Sequence, residues 1–273
     1  MTKNIKDKIL LFLINLSAII TFLVLMWIVY YVLKRGVPHI NKDFILSTSK
    51  NFEDEGILPM ILTTVYIILC SLIISLPIGI GAAIYLVEYA RNYKLVRIIR
   101  FTTESLAGIP SIIFGLFGMI FFVTVLKFGF SLISGSITLS IMVLPTIIRT
   151  TEESLKSVPK EYKEGSLGLG VSKIHTIYKV ILPTAMPGII TAVILSIGRI
   201  VGETAAVYLT AGMVPRVPGS LMDSGRTLSV HLYILAKEGI SFEKSYATAS
   251  ILILTILCIN LFANRFSNKL KQN

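Results

Sequence analysis

Residues 160–183 read KEYKEGSLGLGVSKIHTIYKVILP, a polar stretch that lies between two long apolar runs. Pro159 precedes it and suits the first turn of a helix. Gly168 and Gly170 permit a sharp bend in the backbone, and Ser172 is a residue type that caps a new helix. Four apolar residues then recur at amphipathic helical spacing: Ile174, Ile177, Tyr178 and Ile181. The sequence therefore predicts a short helix, a bend and a second, amphipathic helix, and Pro183 closes the loop.

Six runs of the chain contain no Asp, Glu, Lys or Arg. They are residues 9–33, 56–87, 105–126, 128–148, 180–198 and 245–264. Each is near or above the ~18–20 residues that a helix needs to cross the hydrocarbon of a bilayer. A spanning segment must also satisfy its backbone hydrogen bonds internally, which favours helix. The sequence therefore predicts an all-α integral membrane protein with six transmembrane helices, in which residues 149–183 form the loop between the fourth and the fifth.

The composition excludes several other classes of protein. The mean hydropathy is +0.79, and 15% of residues are charged, against roughly 25% in a typical soluble domain. The net charge of +11 is spread over short segments between the apolar runs, so we expect a lipid bilayer and no nucleic acid as the partner. The three histidines are far apart in sequence and both cysteines lie in apolar runs, so we expect no metal site.

The distribution of the basic residues predicts the orientation. Most of the 26 Lys and Arg residues fall on the side that carries both termini, and this side is expected to be cytoplasmic. Lys34 and Arg35 run against this bias. The first run is predicted to be a retained helix, because it is longer than the apolar part of a signal peptide and no A-x-A-like cleavage site follows it.

Two ionisable residues fall at the end of the fifth apolar run. Arg199 and Glu203 are four residues apart, so we expect them to share one helical face. A charge at the bilayer centre costs at least ~2.5–3.5 kcal/mol, and Arg offers a planar set of donors that suits phosphate oxygens. One interpretation places Arg199, Glu203 and Thr204 in a substrate pathway. The alternative is a pair that neutralises itself and fixes helix packing.

Glu104 stands at the start of the third apolar run. One interpretation is a gating residue near the cytoplasmic edge of the membrane. The alternative is structural, because an acidic residue in the first turn of a helix is stabilised by the helix dipole. The sequence leaves both interpretations open.

The stretch 160–183 resembles a family motif. Its matching residues are Glu164-Gly165-Ser166, then Gly170, then Val180-Ile181-Leu182-Pro183. This resembles the E-A-A-x3-G-x9-I-x-L-P loop of ABC importer permeases, with Gly165 and Ser166 in place of Ala and Val180 in place of Ile. In that family the loop docks on the ATP-hydrolysing subunit. The resemblance therefore implies a coupling role for Glu161, Glu164, Gly165, Ser166, Gly170, Leu182 and Pro183; the alternative is a loop that merely joins two helices.

Further segments resemble phosphate importer permeases. They are residues 88–90, 104–111, 114–118 and 198–205, and Ala205 and the 227–233 stretch are closer to the PstA-type than to the PstC-type subunit. The resemblance implies the type I ABC importer permease fold. It also implies a division into residues 1–57 (first helix and external segment), 58–265 (permease domain) and 266–273 (cytoplasmic tail).

The function implied by this resemblance is half of the pore of an ATP-driven phosphate importer. The chain has no G-x-x-x-x-G-K-[ST] motif, so we do not expect it to be an enzyme or to bind a cofactor itself. ATP and Mg are expected to be bound by a partner subunit. The implied partners are an ABC ATPase subunit, a PstC-type second permease, an extracytoplasmic phosphate-binding protein and inorganic phosphate. The implied location is the plasma membrane of a prokaryote.

Other functions remain open at this stage. They are a PstC-type subunit, a permease for sulfate, molybdate or phosphonate, and a secondary transporter driven by an ion gradient. A membrane enzyme would need clustered nucleophiles, bases or metal ligands, which the sequence does not display.

Overall fold

The computed structural model describes residues 2–47, 56–90 and 92–271. Residues 48–55 of the predicted external segment lie outside this part of the chain. The described residues form the helices α1 (Thr2–Gly36), α2 (Lys42–Leu46), α3 (Leu58–Ile84), α4 (Tyr93–Ala107), α5 (Ser111–Gly118), α6 (Leu132–Lys156), α7 (Lys160–Gly168), α8 (Lys173–Thr176), α9 (Leu182–Gly202), α10 (Ala205–Thr210), α11 (Leu228–Lys237) and α12 (Phe242–Lys271). A 3₁₀ turn, Val37–His39, follows α1. Wider π-helical turns, Tyr85–Tyr89, Met119–Val125 and Ile177–Ile181, extend α3, extend α5 and precede α9.

The predicted architecture is confirmed. Five helical segments are long and apolar enough to cross a membrane: Lys6–His39, Leu58–Tyr89, Leu132–Lys156, Lys173–Gly202 and Phe242–Phe262. A sixth crossing is provided by a bent pair, Tyr93–Ala107 followed by Ser111–Val125. With six crossings, the described ends Thr2 and Lys271 lie on one side of the bilayer, together with the connection between α6 and α9.

The third crossing is not the straight rod that residues 105–126 predict. Its two helices meet at an angle of 99°. Gly108 and Pro110 lie between them, and a proline disfavours helical backbone at the residue that precedes it. The backbone therefore bends between α4 and Ser111–Val125, and the apolar run 105–126 does not form one straight helix. This places Glu104 in the last turn of α4 and corrects the expectation that it opens a crossing, where the helix dipole would stabilise it.

The fifth crossing begins earlier than expected. The helix runs without a break from Lys173 to Gly202, so the loop and the fifth crossing are not separated at Pro183. Pro183 lies in the first turn of α9, directly after the π-helical turn Ile177–Ile181. A π turn relocates the hydrogen bond that a proline removes, which makes the position tolerable. The amphipathic segment and the fifth span are thus one continuous element.

The core of the bundle is built around α6, which packs mainly against α3 and α9. Leu139, Met142 and Val143 on α6 are fully buried. Several serines and threonines of α6 are buried as well, and Ser140 donates a hydrogen bond of 3.0 Å to the carbonyl oxygen of Ser71 on α3. Hydroxyl groups are well suited to helix contacts inside a membrane, because neighbouring helices supply their partners.

The chain folds back into the bundle after α9. The short helix α10 packs against α5 and α6, and the carbonyl oxygen of Thr210 at its end accepts a hydrogen bond of 3.1 Å from the backbone N–H of Ser131. Gly118 allows this close approach, because a Cβ atom there would lie 2.3 Å from Thr138 Oγ1 and 2.7 Å from Thr210 Cγ2. The break between α9 and α10 is therefore only partly covered by protein, with Glu203 buried and Gly202 exposed.

The helix α1 packs mainly against α12. At the end of α1 the guanidinium carbon of Arg35 lies 4.7 Å from the ring centre of Tyr31 and 5.6 Å from that of Tyr246 on α12. Cation–π contacts of this kind contribute about 0.5–2 kcal/mol. The charge of Arg35, which runs against the overall charge bias, therefore stabilises the contact between these two helices.

We expect Gly118→Ala to destabilise the protein by about 1–3 kcal/mol, because the added methyl overlaps α6 and α10. The matched control is Gly81→Ala on α3, where a Cβ has no neighbour within 4 Å. Thermal unfolding in mild detergent measures both variants. Equal midpoints would contradict the close packing of α10 against α5.

Candidate functional site

We call residues 160–181 the elbow, and the end of the bundle that carries it the elbow end. The helix α7 forms its first arm, and Gly170 turns the chain with a φ of +80°, a conformation that favours glycine. Ser172 then caps α8, with its Oγ accepting a hydrogen bond of 3.4 Å from the backbone N–H of His175. The predicted sequence of helix, bend and capped helix is confirmed.

One side of α7, which we call the outer face, is open to its surroundings. It consists of Glu161, Glu164, Gly165 and Gly168, which are spaced i, i+3, i+4 and i+7 and are all exposed. A Cβ atom at either glycine would meet nothing within 4 Å, so packing inside this chain does not require a small residue there. Neither glutamate makes an ion pair or hydrogen bond within the described residues. Beyond the end of α7, the side chain of Leu169 is 85% exposed.

The opposite side of the elbow faces the bundle. Ser166 and Thr176 share a hydrogen bond of 2.9 Å between their hydroxyl oxygens, which joins the two arms. Ile177 and Ile181 are buried in a small cluster with Ala83 on α3 and other apolar residues. The other two apolar residues that the sequence predicts on this face are exposed. Ile174 is 62% exposed and Tyr178 is 61% exposed, so the second helix does not bury one continuous apolar face.

Glu88 connects the elbow to the second span, a role that sequence analysis missed. Its side chain is 5% exposed and lies in the π-helical turn that ends this span. Its Oε2 is 2.6 Å from Lys163 Nζ on α7 and 4.0 Å from Lys173 Nζ on α8. Lys173 also donates to the carbonyl oxygen of Glu88 and lies 4.4 Å from the ring centre of Tyr89. A single buried carboxylate therefore holds both arms of the elbow.

A second buried carboxylate lies nearby on α6. Glu152 Oε1 is 2.5 Å from Arg100 Nη2 on α4 and 2.6 Å from Lys156 Nζ. These three residues line a cavity of about 230 Å³, together with Glu104. Glu104 itself is exposed and makes no ion pair within the part of the chain that the structure describes. Its predicted gating role stays a prediction.

The structure separates Arg199 from Glu203. The helix α9 ends at Gly202, and Glu203 has extended backbone, so the expectation of a shared helical face is wrong. Glu203 is buried, and its Oε1 accepts a hydrogen bond of 3.2 Å from the backbone N–H of Ala206 in α10. Its carbonyl oxygen accepts a hydrogen bond of 2.6 Å from Ser229 Oγ on α11. Glu203 thus caps one short helix and holds another.

Arg199 is partly exposed and lies in the last turn of α9, where the helix dipole favours a cation. Among the described residues it has no hydrogen bond or ion pair. Thr204, also partly exposed, begins α10, and its Oγ1 is 3.5 Å from the carbonyl oxygen of Gly202. The proposed pathway residues therefore sit around a break in the helix.

A buried polar pair lies at the opposite end of the bundle. Arg226 Nη1 is 3.2 Å from His231 Nδ1 on α11, and Arg226 Nε donates to the carbonyl oxygen of Met213 at 2.7 Å. Burial, assisted by the charge of Arg226, lowers the pKa of His231 to about 3, so the ring is neutral and accepts from Arg226. The helix α11 is too short to be a span. Arg226 also lines a mainly apolar cavity of about 670 Å³.

The site contains no constellation for chemistry on a bound metal. No three His, Cys, Asp or Glu side chains of the described residues lie close enough together to hold a metal ion. Two of the ion pairs at the elbow end, Arg100–Glu152 and Lys163–Glu88, join different helical segments.

Comparison with known protein families gives a match over most of the chain. The family described as "Binding-protein-dependent transport system inner membrane component" matches residues 75–272. A probable ABC transporter permease protein YqgI from Bacillus subtilis is 34% identical, over 96% of this chain and 95% of the relative. A phosphate transport system permease protein PstA from Haemophilus influenzae is 32% identical, over 95% of this chain and 93% of the relative.

Solved structures show the same fold. A chain of a bacterial ABC transporter involved in the import of the acidic polysaccharide alginate matches with a TM-score of 0.70 and 17% identity, covering 98% of both chains. A chain of the MetNI methionine ABC transporter in an inward-facing conformation matches with a TM-score of 0.62 and 21% identity, covering 79% of this chain and 94% of that chain. At these identities the likeness concerns the fold alone.

We expect Glu203→Ala to lower the stability by about 1 kcal/mol, because it removes the hydrogen-bond acceptor for the N-terminus of α10. Glu203→Gln keeps a carbonyl oxygen at the same place and should retain most of the stability. Thermal unfolding of both variants in detergent separates a capping role from a charge-pairing role. Equal losses in the two variants would indicate that the charge of Glu203, and not its hydrogen bond to Ala206, is required.

Proposed function

Because the chain belongs to the family of binding-protein-dependent transport system inner membrane components, we propose that it is the permease subunit of an ATP-driven importer of inorganic phosphate. The observation that carries this proposal is the match to relatives named as PstA over nearly the whole chain. The confirmed crossings and the elbow between the fourth and the fifth support it. The chain would supply half of a pore, and its resemblance to the PstA-type subunit implies a PstC-type second permease as the other half.

We place the site of ATPase docking on the outer face of the elbow. Its two glutamates are exposed and make no hydrogen bond or ion pair within the described chain, and its two glycines leave open space. The exposed side chains of Leu169, Ile174 and Tyr178 add apolar area around it. A surface with unpaired charge, open backbone and exposed apolar groups is suited to a protein partner. ATP, with Mg, would be hydrolysed by that partner.

The remaining partners follow from this role. An extracytoplasmic phosphate-binding protein would deliver phosphate at the end of the bundle opposite the elbow. The elbow end, with both termini, would be cytoplasmic, in the plasma membrane of a prokaryote. Most of the basic residues would then lie on the cytoplasmic side.

Arg199, Glu203 and Thr204 are our candidates for the phosphate pathway. The break between α9 and α10 exposes backbone groups of the kind that line substrate sites in transporters with discontinuous helices. Arg199 has no partner among the described residues, so its donors are available to an anion. Glu203 would act mainly by fixing the position of α10, and Thr204 would offer a hydroxyl group at the break.

We expect Arg199→Ala to reduce phosphate uptake strongly, about tenfold or more, because the loss of a charged hydrogen-bond donor costs about 1.5–3 kcal/mol. Arg199→Lys keeps the charge without the planar set of donors and should be intermediate. Uptake of labelled phosphate is measured in cells with equal amounts of each variant in the membrane. Normal uptake by Arg199→Ala would exclude Arg199 from the pathway.

We expect Glu164→Lys to weaken binding of the ATPase about tenfold or more, since it reverses a charge on the outer face. Glu238→Lys is the matched control, because Glu238 is an exposed glutamate at the opposite end of the bundle. Each variant is purified in mild detergent, and the amount of bound ATPase is quantified. If both variants retain the ATPase equally, the outer face is not the docking surface.

A further inference from the structure

We propose that Glu88 is the positioning residue through which movement of the elbow reaches the second span. The inference rests on the proposed docking of an ATPase on the outer face. The elbow is joined covalently to the fourth and the fifth spans, α6 and α9. Its connection to the second span depends on side chains, and Glu88 provides the polar part of it.

Because the carboxylate of Glu88 is buried, its ion pair with the elbow is costly to break. A buried charge is stable only where it is paired, and the loss of one partner leaves an uncompensated charge. Lys163 Nζ, at 2.6 Å, provides the close partner, and Lys173 Nζ lies 4.0 Å away. Any displacement of α7 away from the span would separate Glu88 from Lys163. The span and the first arm of the elbow are therefore expected to move together.

The end of the second span adds a backbone contact. A helix ends with carbonyl groups that have no partner inside the helix, and the dipole there favours a cation. Lys173 meets both needs, since it donates to the carbonyl oxygen of Glu88 and lies over the ring of Tyr89. The second arm of the elbow is thus held by the same turn that binds the first.

The two sides of α7 face different surroundings. The outer face, with Glu161 and Glu164, points away from the bundle, whereas Lys163 points to Glu88 and Ser166 to Thr176. A push on the outer face is therefore delivered to the span through Lys163. A cavity of about 200 Å³ lies beside Glu88, between the ends of α3 and α6 and the start of α7, and leaves room for such a movement.

Apolar packing connects the second arm of the elbow to the second span. It is provided by Ile177 and Ile181 of that arm, which pack near Ala83 of the span. The first arm, which carries the outer face, is connected to the span by the ion pair of Lys163. Removing this pair should leave the elbow in place and reduce the transmission of force.

The test uses the complete importer, with both permeases, the ATPase and the binding protein, reconstituted in lipid vesicles. ATP hydrolysis and phosphate uptake are measured together. We expect Glu88→Gln to keep the ATPase bound and active while uptake falls about fivefold or more, so that the ATP used per phosphate rises by the same factor. The matched control is Glu153→Gln on α6, because Glu153 forms an exposed ion pair with Arg149 at the same end of the bundle.

A second set of variants tests whether a loss of uptake in Glu88→Gln results from misfolding. Lys163→Met removes the same ion pair from the partly exposed side, and Lys173 Nζ, 4.0 Å away, stays near the Glu88 carboxylate in this variant. Lys163→Met should raise the ATP used per phosphate in the same direction. The double variant Glu88→Gln/Lys163→Met should be no worse than Glu88→Gln, because the two changes remove one shared interaction. Thermal unfolding of each complex confirms that it is folded.

Several results would overturn the inference. They are an unchanged ratio of ATP to phosphate in both single variants, additive effects in the double variant, or loss of ATPase binding in Glu88→Gln. The proposed function fails by a different result. Retention of the ATPase by Glu164→Lys would exclude docking on the outer face, whereas the ratio of ATP to phosphate in Glu88→Gln tests transmission from the elbow to the second span.

Discussion

The fold depends on one constraint: inside a bilayer, backbone N–H and C=O groups must find their partners within the protein. Continuous helices satisfy this requirement in most of the chain. Where the helices break, protein groups replace the missing partners. At the break after α9, Glu203 accepts from the N–H of Ala206, and Ser229 donates to the carbonyl of Glu203. The neighbouring helices α5 and α6 then cover the short helix α10. The candidate pathway exists because this break is tolerated.

The elbow end is organised by two buried carboxylates, each of which holds cations from different segments. Glu152 on α6 joins α4 to α6 through Arg100, and Glu88 joins the second span to both arms of the elbow. Buried ion pairs of this type contribute little net stability, but they fix the relative position of the helices that carry them. In a protein that must change shape, such pairs are well placed to define which helices move together.

The sequence predicts the crossings because hydrophobicity and length decide them, and it predicts the bend at Gly170 because few residues adopt that backbone. It does not predict the end of α9 at Gly202, since a four-residue spacing is equally compatible with a helix that continues to Glu203. Glu88 is missed for another reason. Its partner Lys163 lies 75 residues away, and no local pattern connects them. Domain boundaries and pathway residues stay predictions, because they concern partners and substrate.

The contact between α1 and α12 has a consequence for how the protein is made. The helix α1 emerges from the ribosome long before α12, yet α12 is the helix against which it mainly packs. Arg35, Tyr31 and Tyr246 complete their stack only when α12 has been inserted. Until then α1 rests in lipid by itself, which the uncharged stretch 9–33 permits. Insertion of α12 therefore also secures α1.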